Sequence, residues 1–215
     1  MRLGKRQLKM LLSKRSKEYN KAIEFIESNR KNFIILSSEY YKNKGFFPYL
    51  VSLSALLRGR SPIYHTALII NKGNKIFSLE ISPAGIKLID FKTAYFSSKF
   101  KGTLKAQVIR GKKTLDQEKK IIDFIKSNIL NKKYGKLKAG RSWTAWKIWD
   151  QKDDDRKYIY CTDAVLDIIK KFEGHKIFDN HAEVTPAQLY EFLLDDYRFA
   201  SKYCVMIQQL NNCSL

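Results

Sequence analysis

The chain has 215 residues, 44% of them hydrophobic, and 41 Lys and Arg against 21 Asp and Glu give it a formal charge of +20. A chain of that length can bury a full core, which predicts one domain over residues 31–215 behind a basic helical extension over residues 1–30. No stretch approaches the roughly 18 uninterrupted apolar residues of a spanning helix. The N-terminal MRLGKRQLKMLLSKRSKEY has lysine inside its apolar positions, unlike a signal peptide. Cys161, Cys204 and Cys213 form no CxxC pair, so neither a disulfide framework nor a thiolate metal site is expected. A reducing, cytoplasmic setting without metal or cofactor fits these features. The charge would draw the chain toward anionic membrane surfaces or polyanions. No nucleic-acid reading motif accompanies it, so specific nucleic-acid recognition is not predicted; scattered lysine also simply solubilises a surface.

In chain order, Leu8, Leu11, Leu12, Tyr19, Ala22, Ile23 and Ile26 recur at helical spacing, predicting one or two N-terminal helices. This basic amphipathic segment either packs on the domain or lies on anionic lipid, and Glu24 and Glu27 favour packing. NFIILSS reads as a buried strand, and a short helix is expected near Leu50 to Leu57. IYHTALII and KIFSLEIS are two strands joined through NKGN, GIKLIDF is a third, and Leu104 to Arg110 continues the sheet. Asp116 to Leu130 is a helix opened by a Thr114 and Gln117 capping box. A polar loop with Trp143, Trp146 and Trp149 leads to YIYCTDAVLDIIKKF, a short strand running into an amphipathic helix. Thr185-Pro186 starts another helix, and a strand from Phe199 to Ile207 closes the chain. The fold class is α+β, an antiparallel sheet or half-barrel of about five strands packed on helices.

Cys161 opens its helix, beside unpaired backbone N–H groups at the positive end of the helix dipole, a position that favours thiolate in general. It also heads the stripe Ala164, Val165, Ile168 and Phe172, where a buried apolar cysteine fits equally well. Of the three histidines, His175 and His181 sit in the polar connection GHKIFDNH, whereas His65 interrupts a strand. A hairpin closing on Lys72-Gly73, or on Asn71 to Asn74, pairs residues whose numbers sum to 145 and sets His65 opposite Glu80. A carboxylate there can take the ring N–H and leave the other nitrogen to accept a thiol proton. An ion pair on the sheet surface is the alternative reading of the same two residues.

The order His65, Glu80, Cys161, set in YHTALII, FSLEIS and YIYCTDAVLDII, resembles the circularly permuted, papain-like branch of the NlpC-type cysteine hydrolases, the YiiX-like proteins. In that family a strand carries histidine after serine, the next strand carries glutamate before alanine, and the cysteine opens a helix as Tyr-Cys-Ser-Glu-Leu. VIRGKKTLDQEKKIIDFI with KKYGK resembles the family's strand, helix and Tyr-containing turn, and EVTPAQLYEF its Thr-Pro-x-x-Leu segment. The resemblance spans residues 31–195. Tyr64 replaces the serine, Thr162-Asp163 replaces Ser-Glu and Ile81 replaces the alanine. It implies a permuted papain-like fold and a thiol peptidase, amidase or acyltransferase acting on a peptide, amide or lipid-acyl substrate. In that reading Cys161 is the nucleophile, His65 the base, Glu80 its orienting acid, and Tyr134 a second oxyanion contributor. The competing class is a basic nucleic-acid- or membrane-binding module that retains the fold without catalysis, its tryptophans stacking on bases or sitting at a lipid interface.

Overall fold

The computed structural model describes residues 5–39, 53, 56–57, 59–97, 103–135, 157–174, 184–195 and 200–207, with the side chains of 5–15 and 200–207 left aside. A basic helix α1 (Lys5–Ser28) precedes strand β1 (Phe33–Glu39). Then come β2 (Ile63–Lys72), β3 (Lys75–Ser82) and β4 (Gly85–Asp90). The short helix α2 (Phe91–Tyr95) leads to β5 (Thr103–Ile109). Helix α3 (Leu115–Phe124) passes into a π-helical turn (Ile125–Ile129). A small parallel pair, β6 (Lys133–Tyr134) and β7 (Tyr158–Ile159), precedes α4 (Cys161–Glu173), α5 (Pro186–Asp195) and β8 (Ala200–Ile207).

The main sheet is antiparallel, in the order β4-β3-β2-β1-β5-β8. It has six strands where about five were expected, the last being β8 on the β5 edge. The chain is therefore α+β, with helices on both faces of one sheet. On one face, Phe33, Ile35, Leu68, Ile70, Leu79 and Ile109 pack with α3, α4 and α5. On the other, Ile34, Leu36, Ala67, Ile69, Leu104, Ala106 and Val108 pack with Ala22 and Ile26 of α1 and with α2. Both faces of the central strands are covered, which is why FIIL and ALII are continuous apolar runs rather than alternating ones. Fully burying a residue such as Ile26, which has no exposed surface, contributes about 1.5–3 kcal/mol. That contribution ties the second half of α1 to the sheet.

Local chemistry sets the helix ends. Thr114 and Gln117 form the expected reciprocal cap on α3, and Thr185 and Gln188 do the same at α5, where Pro186 takes the first turn. Helix α2 was not foreseen from the run GIKLIDF. Asp90 ends the strand there, because its carboxylate accepts from the Thr93 backbone at 2.9 Å and turns the chain into a helix. Helix α4 stops at Gly174, whose φ of 70° is the left-handed conformation glycine adopts without strain. Among the described residues no helix is long and apolar enough to cross a membrane. The expected helix near Leu50 to Leu57 falls almost wholly outside the described residues, as do His175, His181 and the three tryptophans.

Candidate active site

The β2–β3 hairpin turns on Gly73-Asn74, with Lys72 opposite Lys75 and Leu68 opposite Leu79, so paired numbers sum to 147. The expected register of 145 is corrected by two residues. Gly73 at the first turn position has a φ of 59°, and glycine is the residue that supplies a positive φ there. A two-residue shift leaves every side chain on its own face, since side chains alternate with period two. Glu80 therefore becomes a diagonal neighbour of His65 rather than its direct opposite, still within reach of long side chains.

Backbone pairing between β2 and β3 ends at Leu68 and Leu79. Beyond that point β2 stays on β1 down to Ile63, with a bulge beside Glu39, while β3 stays on β4 up to Ser82. The sheet forks between them. Alternation points His65 and Glu80 to the face that carries α2, while α4 packs on the other face and contacts both β2 and β3. The fork is where the first residue of α4 meets the ring.

There the His65 Nε2–H donates to Glu80 Oε2 at 2.8 Å, and the ring lies near enough to the Cys161 sulfur for the two to interact. With Nε2 engaged by the carboxylate, Nδ1 is the nitrogen left for sulfur. Burial works against a charged imidazole, but the bonds and charges of Cys161 and Glu80 outweigh it and raise the His65 pKa to about 10. Burial likewise opposes ionisation of Glu80. Its bond and charge pairing with His65, and hydrogen bonds from Ser78 and Tyr95, overcome this and lower its pKa to about 2. Ser78 Oγ donates to Glu80 Oε1 at 2.6 Å and Tyr95 Oη to the same oxygen at 2.5 Å. The tyrosine is held neutral, its pKa pushed well above the ordinary value by burial and by the Glu80 charge.

Cys161 is 6% exposed, and its helix begins after Tyr160 with no side-chain cap. Its own backbone N–H, in the first turn, lies among those with no intrahelical acceptor. Tyr160 Oη donates to the Val184 carbonyl at 2.6 Å, fastening the start of α4 to the start of α5. Tyr134 lies on β6, paired with Ile159 of β7, two residues before the cysteine. Burial and the neighbouring Cys161 raise its pKa, which sets its hydroxyl in electrostatic reach of the sulfur.

The four sequence-derived residues thus fall in one region: His65 and Glu80 are hydrogen-bonded, the Cys161 sulfur interacts with the His65 ring, and Tyr134 lies within electrostatic reach of that sulfur. Ser78 and Tyr95 were not anticipated. Ser78 could have been found, since residues two apart on a strand share a face with Glu80. Tyr95 could not, because it arrives on the helix that Asp90 starts. Among the described residues no group of three or more His, Cys, Asp or Glu side chains could hold a metal ion.

The fold and the site together define an α+β protein with a buried imidazole bonded to a carboxylate and a thiol near that ring. No protein-family model matches the sequence, and no curated protein is significantly similar to it. Among solved structures it is similar to the metalloprotein YiiX from Escherichia coli O157:H7, at 16% identity and a TM-score of 0.45, over 75% of this chain and 81% of that one.

Proposed function

We propose that the chain is a thiol-dependent hydrolase or acyltransferase of permuted papain-like fold, cleaving an amide or ester through Cys161, His65 and Glu80. The observation that carries this reading is the 2.8 Å hydrogen bond from the His65 imidazole to the Glu80 carboxylate, with the Cys161 sulfur interacting with the same ring. Surface ion pairs need no third member, whereas a nucleophile, a base and an orienting acid in series are what acyl transfer uses.

In this mechanism the proton of the Cys161 thiol is already on His65, as an imidazolium steadied by Glu80, when the sulfur attacks the acyl carbonyl. The carbonyl π electrons move to oxygen, which the Cys161 backbone N–H and the Tyr134 hydroxyl stabilise. Collapse of that intermediate breaks the carbonyl bond to the leaving nitrogen or oxygen, and His65 returns the proton to it. A water, or an acceptor alcohol or amine, then attacks the thioester while His65 takes its proton. Expulsion of sulfur, with the proton kept on His65, frees the acid or transferred product and restores the starting pair. Glu80 holds the ring in one orientation and offsets the charge it carries. Ser78 and Tyr95 in turn hold Glu80.

Peptides, other amides and lipid acyl groups are the substrate classes, with anionic membrane-associated or polymeric examples favoured by the charge of +20. The test is turnover of activated esters and of short peptide amides by the full chain and by Cys161→Ala. Release of product by the wild type and none by the variant supports the reading. Equal release, or none by either across both substrate classes, refutes it and favours the binding-module alternative.

A further inference from the structure

Away from the Cys161 site, a cavity of about 440 Å³ opens between the end of α1 and the start of α3. Arg30, Lys31, Lys112 and Lys113 line it, with Glu118 their one acidic companion. Glu118 is already engaged, since Arg30 grips it with Nε at 3.0 Å and Nη2 at 2.9 Å. Even with Glu173, whose carboxylate lies against Gly111 of the lining, basic side chains outnumber acidic ones here.

Lys113 is the unusual member. It is only 8% exposed, and among the described residues no carboxylate lies within ion-pair distance of its ammonium. That ammonium lies 4.9 Å from the centre of the Phe33 ring, a contact that helps to hold a cation but does not neutralise it. Lysine is almost never buried so deeply without a paired anion. The cost shows in its pKa, lowered by burial to about 8 despite the more distant Glu118 and Glu173. The local backbone is fixed: Lys113 N–H donates to the Lys31 carbonyl at 2.8 Å and Gly111 N–H to Asn32 Oδ1 at 3.1 Å. The lysine is thus presented by an ordered turn. Leu115, 68% exposed, stands at the same rim.

We infer that this cavity binds a phosphate group, with Lys113 as its buried anchor and Lys31 and Lys112 at its mouth. The volume exceeds what a bare phosphate fills and falls in the range of small-ligand sites, so the phosphate is carried by a larger molecule. A soluble phosphomonoester and a phospholipid headgroup offer the same chemistry, and the exposed Leu115 suits the second by entering the lipid interface. The inference stands whether or not Cys161 is a nucleophile.

The test is calorimetric titration of the full chain with inorganic phosphate, and sedimentation with phosphatidylcholine vesicles with and without phosphatidic acid. Wild type binds phosphate, and Lys113→Met weakens that binding about tenfold or more, as loss of one buried charge-assisted contact implies. Lys113→Arg largely retains it. Lys87→Met, on the exposed side of β4, leaves it unchanged. Capture by phosphatidic acid vesicles that depends on both Lys113 and Leu115 identifies a lipid; phosphate binding without vesicle capture identifies a soluble phosphoester. If Lys113→Met does not fold, the Lys31→Met, Lys112→Met double variant must weaken binding relative to Lys87→Met. Equal affinity in wild type and in the folded cavity variants, or no binding of either probe by wild type, overturns the inference.

Discussion

Replacing Glu80 with Gln changes the charge beside His65 while keeping the shape. The carboxylate accepts three hydrogen bonds, at 2.8 Å from His65, 2.6 Å from Ser78 and 2.5 Å from Tyr95. A glutamine can turn its oxygen to the ring and its NH₂ to the two hydroxyls, which can rotate to accept. What disappears is the negative charge that offsets the imidazolium. Removing one member of a buried charge pair costs about 3–5 kcal/mol, and the partial exposure of these side chains points to the low end, about 3 kcal/mol. In the proposed reaction that is about a 100-fold loss in acylation rate, at 1.36 kcal/mol for each factor of ten. Burial then acts on the ring with less opposition, although Cys161 still favours its charged form, so its pKa falls below about 10. The assay is paired: the rate at which an activated ester acylates the protein, and an NMR titration of the His65 ring. Glu80→Gln reacting as fast as wild type, with the ring still titrating near 10, would refute the reasoning.

The same pair makes stability depend on pH in a defined sense. His65, raised from 6.5 to about 10, contributes fully below its unfolded value and loses that contribution as pH climbs toward about 10. Glu80, lowered from 4.5 to about 2, contributes fully above 4.5 and loses it as pH falls toward about 2. The denaturation gap between wild type and Glu80→Gln is therefore widest between 4.5 and 6.5 and narrows on both sides, and a gap constant with pH contradicts this. Tyr95→Phe removes one donor to Glu80, costing about 1.5–3 kcal/mol for a bond to a charged group. It raises the Glu80 pKa, so acid unfolding begins at a higher pH than in wild type; an unchanged acid midpoint is the contrary result. Gly174→Ala forces a Cβ onto the left-handed cap of α4 and lowers stability by about 1 kcal/mol, read as a lower Tm with the His65 and Glu80 pairing intact.

Much of the sheet was legible because its signals are local. The FIIL and ALII runs, the NKGN turn and the Thr114 and Thr185 caps each place an element from neighbouring residues alone. The candidate site was legible for a weaker reason. His65 and Glu80 share a face under either hairpin register, so an error of two residues in pairing still brought the ring to the carboxylate. An error of one would have separated them. The fork between β2 and β3 had no sequence signal, and neither did the arrival of Tyr95, because both depend on how distant segments pack. Lys113 looked like any lysine in a basic chain, and only its burial distinguishes it.

The most direct test of the central claim is to treat the full chain at neutral pH with a limiting amount of a thiol-reactive acyl probe and map the modified cysteine by peptide mass spectrometry. The proposed pairing of Cys161 with the Glu80-bonded His65 ring predicts modification at Cys161, with a sharp fall in the His65→Asn variant. Modification of Cys204 or Cys213 with Cys161 untouched, or labelling of Cys161 at the same rate without the histidine, would contradict it.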